Sequence, residues 1–179
     1  MCLSLEKGRT TLKKADEDIV CYKVLVKNNE KGGIKSPYMC KPYKLGELKK
    51  DKLPVKKELF RTKTTIESGV FHAFKFFEDA KKIVINAIIC NCFGFFEGNY
   101  PIVVKCFIPK GGMYYEGMFG NILTPTCQCY GSKKLKVGEE ITYMPTVEDV
   151  EKNCPETLVS QIKEQMQKIM FIPKERFNQ

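Results

Sequence analysis

Between Gly69 and Gly117 the hydrophobic pattern changes period twice, and that change sets the architecture expected for the chain. Val70 to Phe74 (V-F-H-A-F) is a short β-rich run, a helix is expected to open near Glu78 and Asp79, and Ile102 to Ile108 (I-V-V-K-C-F-I) is a β-branched strand closed by Pro109 and a Gly111-Gly112 turn. The expectation is a strand-helix-strand core. Upstream, Asp18 to Lys27 (D-I-V-C-Y-K-V-L-V-K) has the β-branched density of a central strand. Asn28 to Gly33 reads as a turn-forming loop, and Pro42 to Gly46 as an extended loop with a short edge strand. Residues 1–17 are expected to be irregular, and residues 47–65 to be loop with one marginal strand.

Downstream, Asn91 to Tyr100 sets Phe93, Phe95 and Phe96 among glycines, the pattern of a packed loop. Met113 to Phe119 predicts a short strand, and Gln128 to Tyr143 one or two more around a turn at Gly138. Beyond them Asn153 can cap a helix, Pro155 suits its first turn, and Leu158, Ile162, Met166 and Ile169 recur at helical spacing before Pro173. The resulting expectation is an α+β fold in a single domain over residues 1–179. Its core spans residues 18–145, with a mixed or antiparallel sheet, one core helix, and an amphipathic C-terminal helix over residues 153–171 that could also pair two copies into a homodimer.

Composition refines this picture in two ways. With 43% hydrophobic and 28% charged residues the chain has ordinary globular makeup, and it holds no apolar run of the length a membrane helix needs. The opening M-C-L-S-L-E-K-G-R lacks the apolar block of a signal peptide, so no membrane association is expected. The net charge of +9 is uneven, because residues 1–67 hold 17 Lys and Arg against 9 Asp and Glu. Lys49-Lys50-Asp51-Lys52 and Lys56-Lys57, near Tyr38 and Tyr43, form either a solvated lysine face or an attractor for nucleic acid, a nucleotide or an acidic protein. Only Arg9 and Arg61 occur in that third, which disfavours base-specific readout by guanidinium forks.

Nine cysteines, an odd number, read as reduced thiols rather than a disulfide framework, with Cys21 and Cys106 packed as small hydrophobes. Cys90-Asn91-Cys92 with Cys127-Gln128-Cys129 could supply four thiolates to zinc, but single-residue spacing falls short of the usual paired signature. No metal or cofactor is therefore expected. His72 is the only histidine, so any histidine-based relay has to use it, against the alternative of a structural strand histidine. Glu139 and Glu140 are neighbours in an extended segment and point to opposite faces, and Gly111-Gly112 lacks the further glycines of a phosphate loop.

The succession D-I-V-C-Y-K-V-L, S-P-Y, Y-K-L-G-E, G-V-F-H-A-F-K-F-F-E-D-A, V-V-K-C-F-I-P-K-G-G-M-Y-Y-E-G and G-S-K-K-L-K-V-G-E-E-I, over Asp18 to Ile141, resembles a group of small phage and prophage proteins of the Bacteroides type. The resemblance implies a viral accessory protein in the bacterial host cytoplasm that acts by binding, with a counter-defence role open to it. Its ligand would be an anionic nucleotide, nucleic acid or a host protein, with Lys23, Ser36, Tyr38, His72, Tyr115 and Lys133 as candidate contacts, since lysines and hydroxyls hold phosphates and tyrosines stack on bases. A fainter resemblance is to the ADP-ribosyltransferase fold, with Tyr22-Lys23, Gly69 to Ala80 and Ile102 to Gly111 at its three motif positions. It implies an enzyme in which His72, Glu116 or Glu140 orients the ribose, although Lys23 stands where those transferases carry arginine or histidine and no Glu-x-Glu is present. A virion-associated structural component is the third reading.

Overall fold

A computed structural model describes residues 3–5, 11–28, 33–37, 40–60, 63–89, 99–121, 124–141, 143 and 145–152. In chain order the strands are β1 (Leu3–Leu5), β2 (Lys13–Lys14), β3 (Ile19–Asn28), β4 (Ile34–Lys35), β5 (Pro42–Tyr43), β6 (Leu48–Lys50), β7 (Lys56–Phe60), β8 (Lys63–Ser68) and β9 (Phe71–Phe74). Helix α1 (Phe77–Ile89) follows, then β10 (Asn99–Ile108), β11 (Met113–Asn121), β12 (Thr124–Ser132), β13 (Lys134–Ile141) and the short α2 (Val147–Glu151). All thirteen strands join one sheet ordered β6-β13-β10-β3-β9-β12-β11-β1-β8-β7, with β2 on β11 and the pair β4-β5 branching from β3.

This arrangement corrects the expected α+β fold. The structure is 57% strand and 14% helix, a curled, half-barrel sheet whose described pairings are all antiparallel, crossed by one long helix. Residues 1–17 are not wholly irregular: β1 pairs with β8 (Leu3↔Ile66) and β11, and β2 pairs with β11. Residues 47–65 contribute three strands instead of one, and Gly138 lies inside β13 rather than at a turn. These short strands carry little local signal; they are strands because a neighbour supplies the backbone partners. The amphipathic segment 153–171 and the phenylalanine loop 91–98 lie outside the described residues. Among the described residues no helix is long and apolar enough to cross a membrane.

The strand-helix-strand core is present with an insertion. β9 and β10 each run antiparallel to β3, which lies between them, so α1 crosses over β3 to join two parallel strands. Glu78 and Asp79 occupy the first turn of α1, where carboxylates complement the positive helix end, and the Asp79 carboxylate also accepts the Gln128 backbone N–H at 2.9 Å. Ala80, Ile83, Val84 and Ile88 turn toward the sheet and pack with Leu3, Leu5, Val24, Ile66, Phe74 and Val103. The opposite face buries Cys21, Leu25, Ile102, Val104, Cys106, Leu135 and Val137. Both faces of β3 and β10 are thus covered at mid-strand, which is why their sequences read as continuous apolar runs rather than alternating ones.

Elsewhere the packing depends on small residues. A side chain added at Gly117 would strike the Ser4 carbonyl and approach Leu5 and Leu3 at 3.1 and 3.2 Å. Gly117 therefore lets β1 sit flush on β11. Gly117→Ala is expected to lower stability by about 1–3 kcal/mol, read as a lower urea midpoint with an unchanged denaturant slope.

Candidate functional site

Two strands share one edge of β3. The other edge is paired with β10 along its whole length, from Ile19↔Ile108 to Asn28↔Asn99. On the shared edge β9 pairs only at Tyr22↔Phe74, and β4 pairs at Val26↔Lys35 and Lys27↔Ile34. Lys23, Val24 and Leu25 lie between, where the two ladders part around a cavity of about 130 Å3. Its walls carry Lys23, Ser36, Tyr43, Asp51, Val70 and His72, with Lys41 also lining it.

Lys23 dominates the electrostatics of this wedge. Strand alternation places it between buried Cys21 and Leu25, and it is only 8% exposed. Its ammonium donates to the His72 carbonyl at 2.6 Å, replacing the backbone ladder that β3 and β9 have given up, and lies 5.5 Å from the centre of the Tyr43 ring. Among the described residues no carboxylate pairs with it. The neighbouring thiols are not counterions, because burial pushes Cys106 up to about 11 and Cys21 higher still. Burial accordingly depresses the Lys23 pKa. An ammonium ion has three donors, and one is used by the protein here.

His72 presents a second unmet polar group. Its Nδ1 is buried without a hydrogen-bond partner among the described residues. Burial, with a contribution from the Lys23 charge, drives its pKa down to about 3, so the imidazole is neutral at physiological pH. A buried polar atom left unpaired costs about 1–3 kcal/mol. At the wedge wall the buried Lys23 amine thus has the His72 carbonyl as its acceptor and no carboxylate partner among the described residues, while the His72 ring belongs to the other face of β9, with Val70 and Phe74.

The remaining predicted contacts divide. Ser36 is buried in the cavity wall, where its N–H donates to the Lys41 carbonyl at 2.8 Å and its carbonyl accepts from Cys40 N–H at 3.1 Å, folding the 36–41 segment back on itself. Tyr38 lies outside the described residues. Lys133 donates to the Leu53 and Gly69 carbonyls and so clamps two segments of the cavity wall. Gly69 holds φ at +81°, and a side chain there would collide with the Pro54 carbonyl, so the two backbones meet directly under that clamp. Tyr115 is buried two strands away from His72, in the row Tyr115↔Gly131↔His72, with the Lys57 ammonium 4.5 Å from its ring centre.

The glutamates of the transferase reading are engaged elsewhere. Glu116 is held down to about 2 by hydrogen bonds from Lys13 and Lys75, at 2.8 and 2.7 Å, and Glu140 pairs with Lys27 at 3.2 Å. Neither lines the cavity with His72. Tyr43 and Asp51, which do, were visible in the sequence only as members of a lysine-rich stretch, because nothing periodic marks a loop that closes a wedge. Cys127 and Cys129 are buried in the helix-side core, Cys90 and Cys92 lie outside the described residues, and no metal-holding cluster occurs among the described residues.

The depressed histidine makes a pH prediction. Below its ordinary pKa of 6.5 the unfolded chain binds a proton that the native His72 refuses, so this stabilising contribution is complete above pH 6.5 and is lost as pH falls toward 3. The difference in unfolding free energy between wild type and His72→Gln is expected to change over that window by at most about 1.4 kcal/mol per pH unit. Urea titrations at stepped pH measure it, and the single histidine resonance should show no titration above the acid transition. No protein-family model, curated protein or solved structure matches this chain, so the geometry above carries the functional reading by itself.

Proposed function

We propose that the protein acts by binding, and that the wedge between β3 and β9 receives the phosphate or carboxylate group of a small ligand. The single observation that carries this is Lys23: a buried ammonium at a cavity wall with no carboxylate partner among the described residues. An entering anion supplies a counterion, accepts from ammonium donors that no described residue takes, and meets the Tyr43 ring. A cavity of about 130 Å3 encloses an anionic head group, whereas pockets that enclose drug-sized ligands run to about 300–1,000 Å3. A nucleotide would therefore be held by its phosphate, with base and ribose outside.

This reading fits the accessory, phage-type role that the sequence resemblance implies, in which a small protein captures a charged host or phage metabolite. It assigns no bond-making step. The transferase alternative loses its orienting glutamate to the ion pairs of Glu116 and Glu140.

The test follows the His72 imidazole by nuclear magnetic resonance while sulfate, phosphate, acetate and adenosine monophosphate are titrated in turn. Saturable movement of that signal is expected with at least one anion, weakening as pH rises and the Lys23 ammonium is lost. Lys23→Met should abolish the movement while the amide spectrum stays native-like. Its stability should change by less than about 2 kcal/mol, since replacing a buried unpaired charge by an isosteric apolar chain offsets the lost hydrogen bond. No movement of the imidazole signal with any of these anions, or movement that persists in Lys23→Met, ends the proposal.

A further inference from the structure

Helix α1 does not cover the whole of its face of the sheet. It shields the part around Tyr22 and Val24, where the Tyr22 and Phe77 rings lie 5.5 Å apart, and leaves the corner made by β6, β13, β10 and the start of β3 open. Cross-strand register sets one row of residues there: Val20↔Phe107, Phe107↔Lys136 and Lys136↔Leu48. Residues directly opposite one another share a face, so all four point to the same side. Val20, near the start of β3, is 41% exposed, and Leu48, on the edge strand β6, is 49% exposed. The Phe107 ring lies beside Gly138, where a side chain would come within 3.1 Å of its Cε2.

Lysines frame this apolar row. Lys134 and Lys50 are directly opposite each other, Lys136 is two residues from Lys134 on the same face, and Lys105 sits two residues from Phe107 with its ammonium 5.7 Å from the ring centre. Like charges opposed across a ladder destabilise it. Yet Lys50, Lys134 and Lys136 make no ion pair among the described residues, and the one carboxylate near Lys105 is Glu139, 3.9 Å away and 75% exposed. Strand alternation sorts the charges cleanly, since Lys49 and Glu47 pair with each other on the opposite face, against Tyr43.

We propose that this corner of the sheet is a binding surface for single-stranded nucleic acid, distinct from the wedge. Lys50, Lys105, Lys134 and Lys136 contact the phosphates, and an unpaired base stacks beside Phe107 against Val20 and Leu48. An apolar and aromatic sheet face ringed by cations is the chemistry that a flexible polyanion with π-faced bases recognises. Lysine point charges without arginine forks make the contact tolerant of sequence. An acidic peptide would satisfy the lysines but gives Phe107 nothing to stack on.

The test is fluorescence anisotropy of a labelled oligothymidylate of about 20 nucleotides at increasing salt. Lys50→Glu, Lys134→Glu and Lys136→Glu together should weaken binding at least tenfold and lower the slope of log affinity against log salt by about 2. Phe107→Leu should weaken binding about tenfold with the slope unchanged. The control exchanges the exposed Lys14, Lys52 and Lys110 for glutamate, the same change in net charge elsewhere on the surface, and should retain most of the affinity. Circular dichroism and thermal melting confirm that each variant is folded. The proposal is overturned by absence of binding at low salt, by equal losses in the two triple variants, or by full affinity in Phe107→Leu with polyglutamate competing as well as the oligonucleotide does, which would make the face a site for acidic peptides.

Discussion

The ten-residue antiparallel ladder between β3 and β10 is the constraint on which the rest of the structure depends. Every residue from Ile19 to Asn28 has a partner across it, and Val24, Leu25, Val103 and Val104 are almost completely removed from water. Burying each such side chain is worth about 1.5–3 kcal/mol, and both faces of the ladder contribute. The helix packs on one side of it and the β13 layer continues its edge. Because β10 consumes one whole edge of β3, the remaining sheet has to attach to the other, and it does so through two separate strands.

That division creates the wedge. A continuous β3–β9 ladder would have satisfied the backbone and left no cavity. Instead β9 leaves after Tyr22↔Phe74, and the side chain of Lys23 reaches across to the His72 carbonyl. A buried ammonium is a poor structural element when unpaired, since desolvation works against its charge and no carboxylate offsets it. An anion bound in the wedge, as proposed above, offsets that charge. The struts around it have the opposite character: Lys133 and Gly69 fix the wall by saturating carbonyls and removing a clash.

The same ladder also explains where the basic charge is useful. The lysine-rich stretch from Lys49 to Lys57 is one cluster on paper, but a strand turns successive side chains to opposite faces. Lys49 goes inward over Tyr43, Lys50 outward beside Lys134, and Lys57 over the Tyr115 ring on another strand pair. The coherent cationic surface is assembled instead from Lys50, Lys105, Lys134 and Lys136, which are far apart in the chain.

Local pattern alone determined the strong elements: β3 and β10 from their β-branched runs, and α1 from its acidic first turn and helical spacing. It also bounded the chemistry, because a single histidine and unpaired cysteine spacings left few catalytic options. It could not supply β1, β2, β6 or β7, whose strand state comes from distant partners such as Ile66 and Lys136, and so it overestimated the helical share of the fold. Nor could it separate Lys133 the strut from Lys23 the unpaired cation, or set Leu48 beside Phe107 and Val20. Those distinctions are matters of register and of which carbonyl or ring lies within reach, and they exist only once strands remote in sequence have been laid side by side.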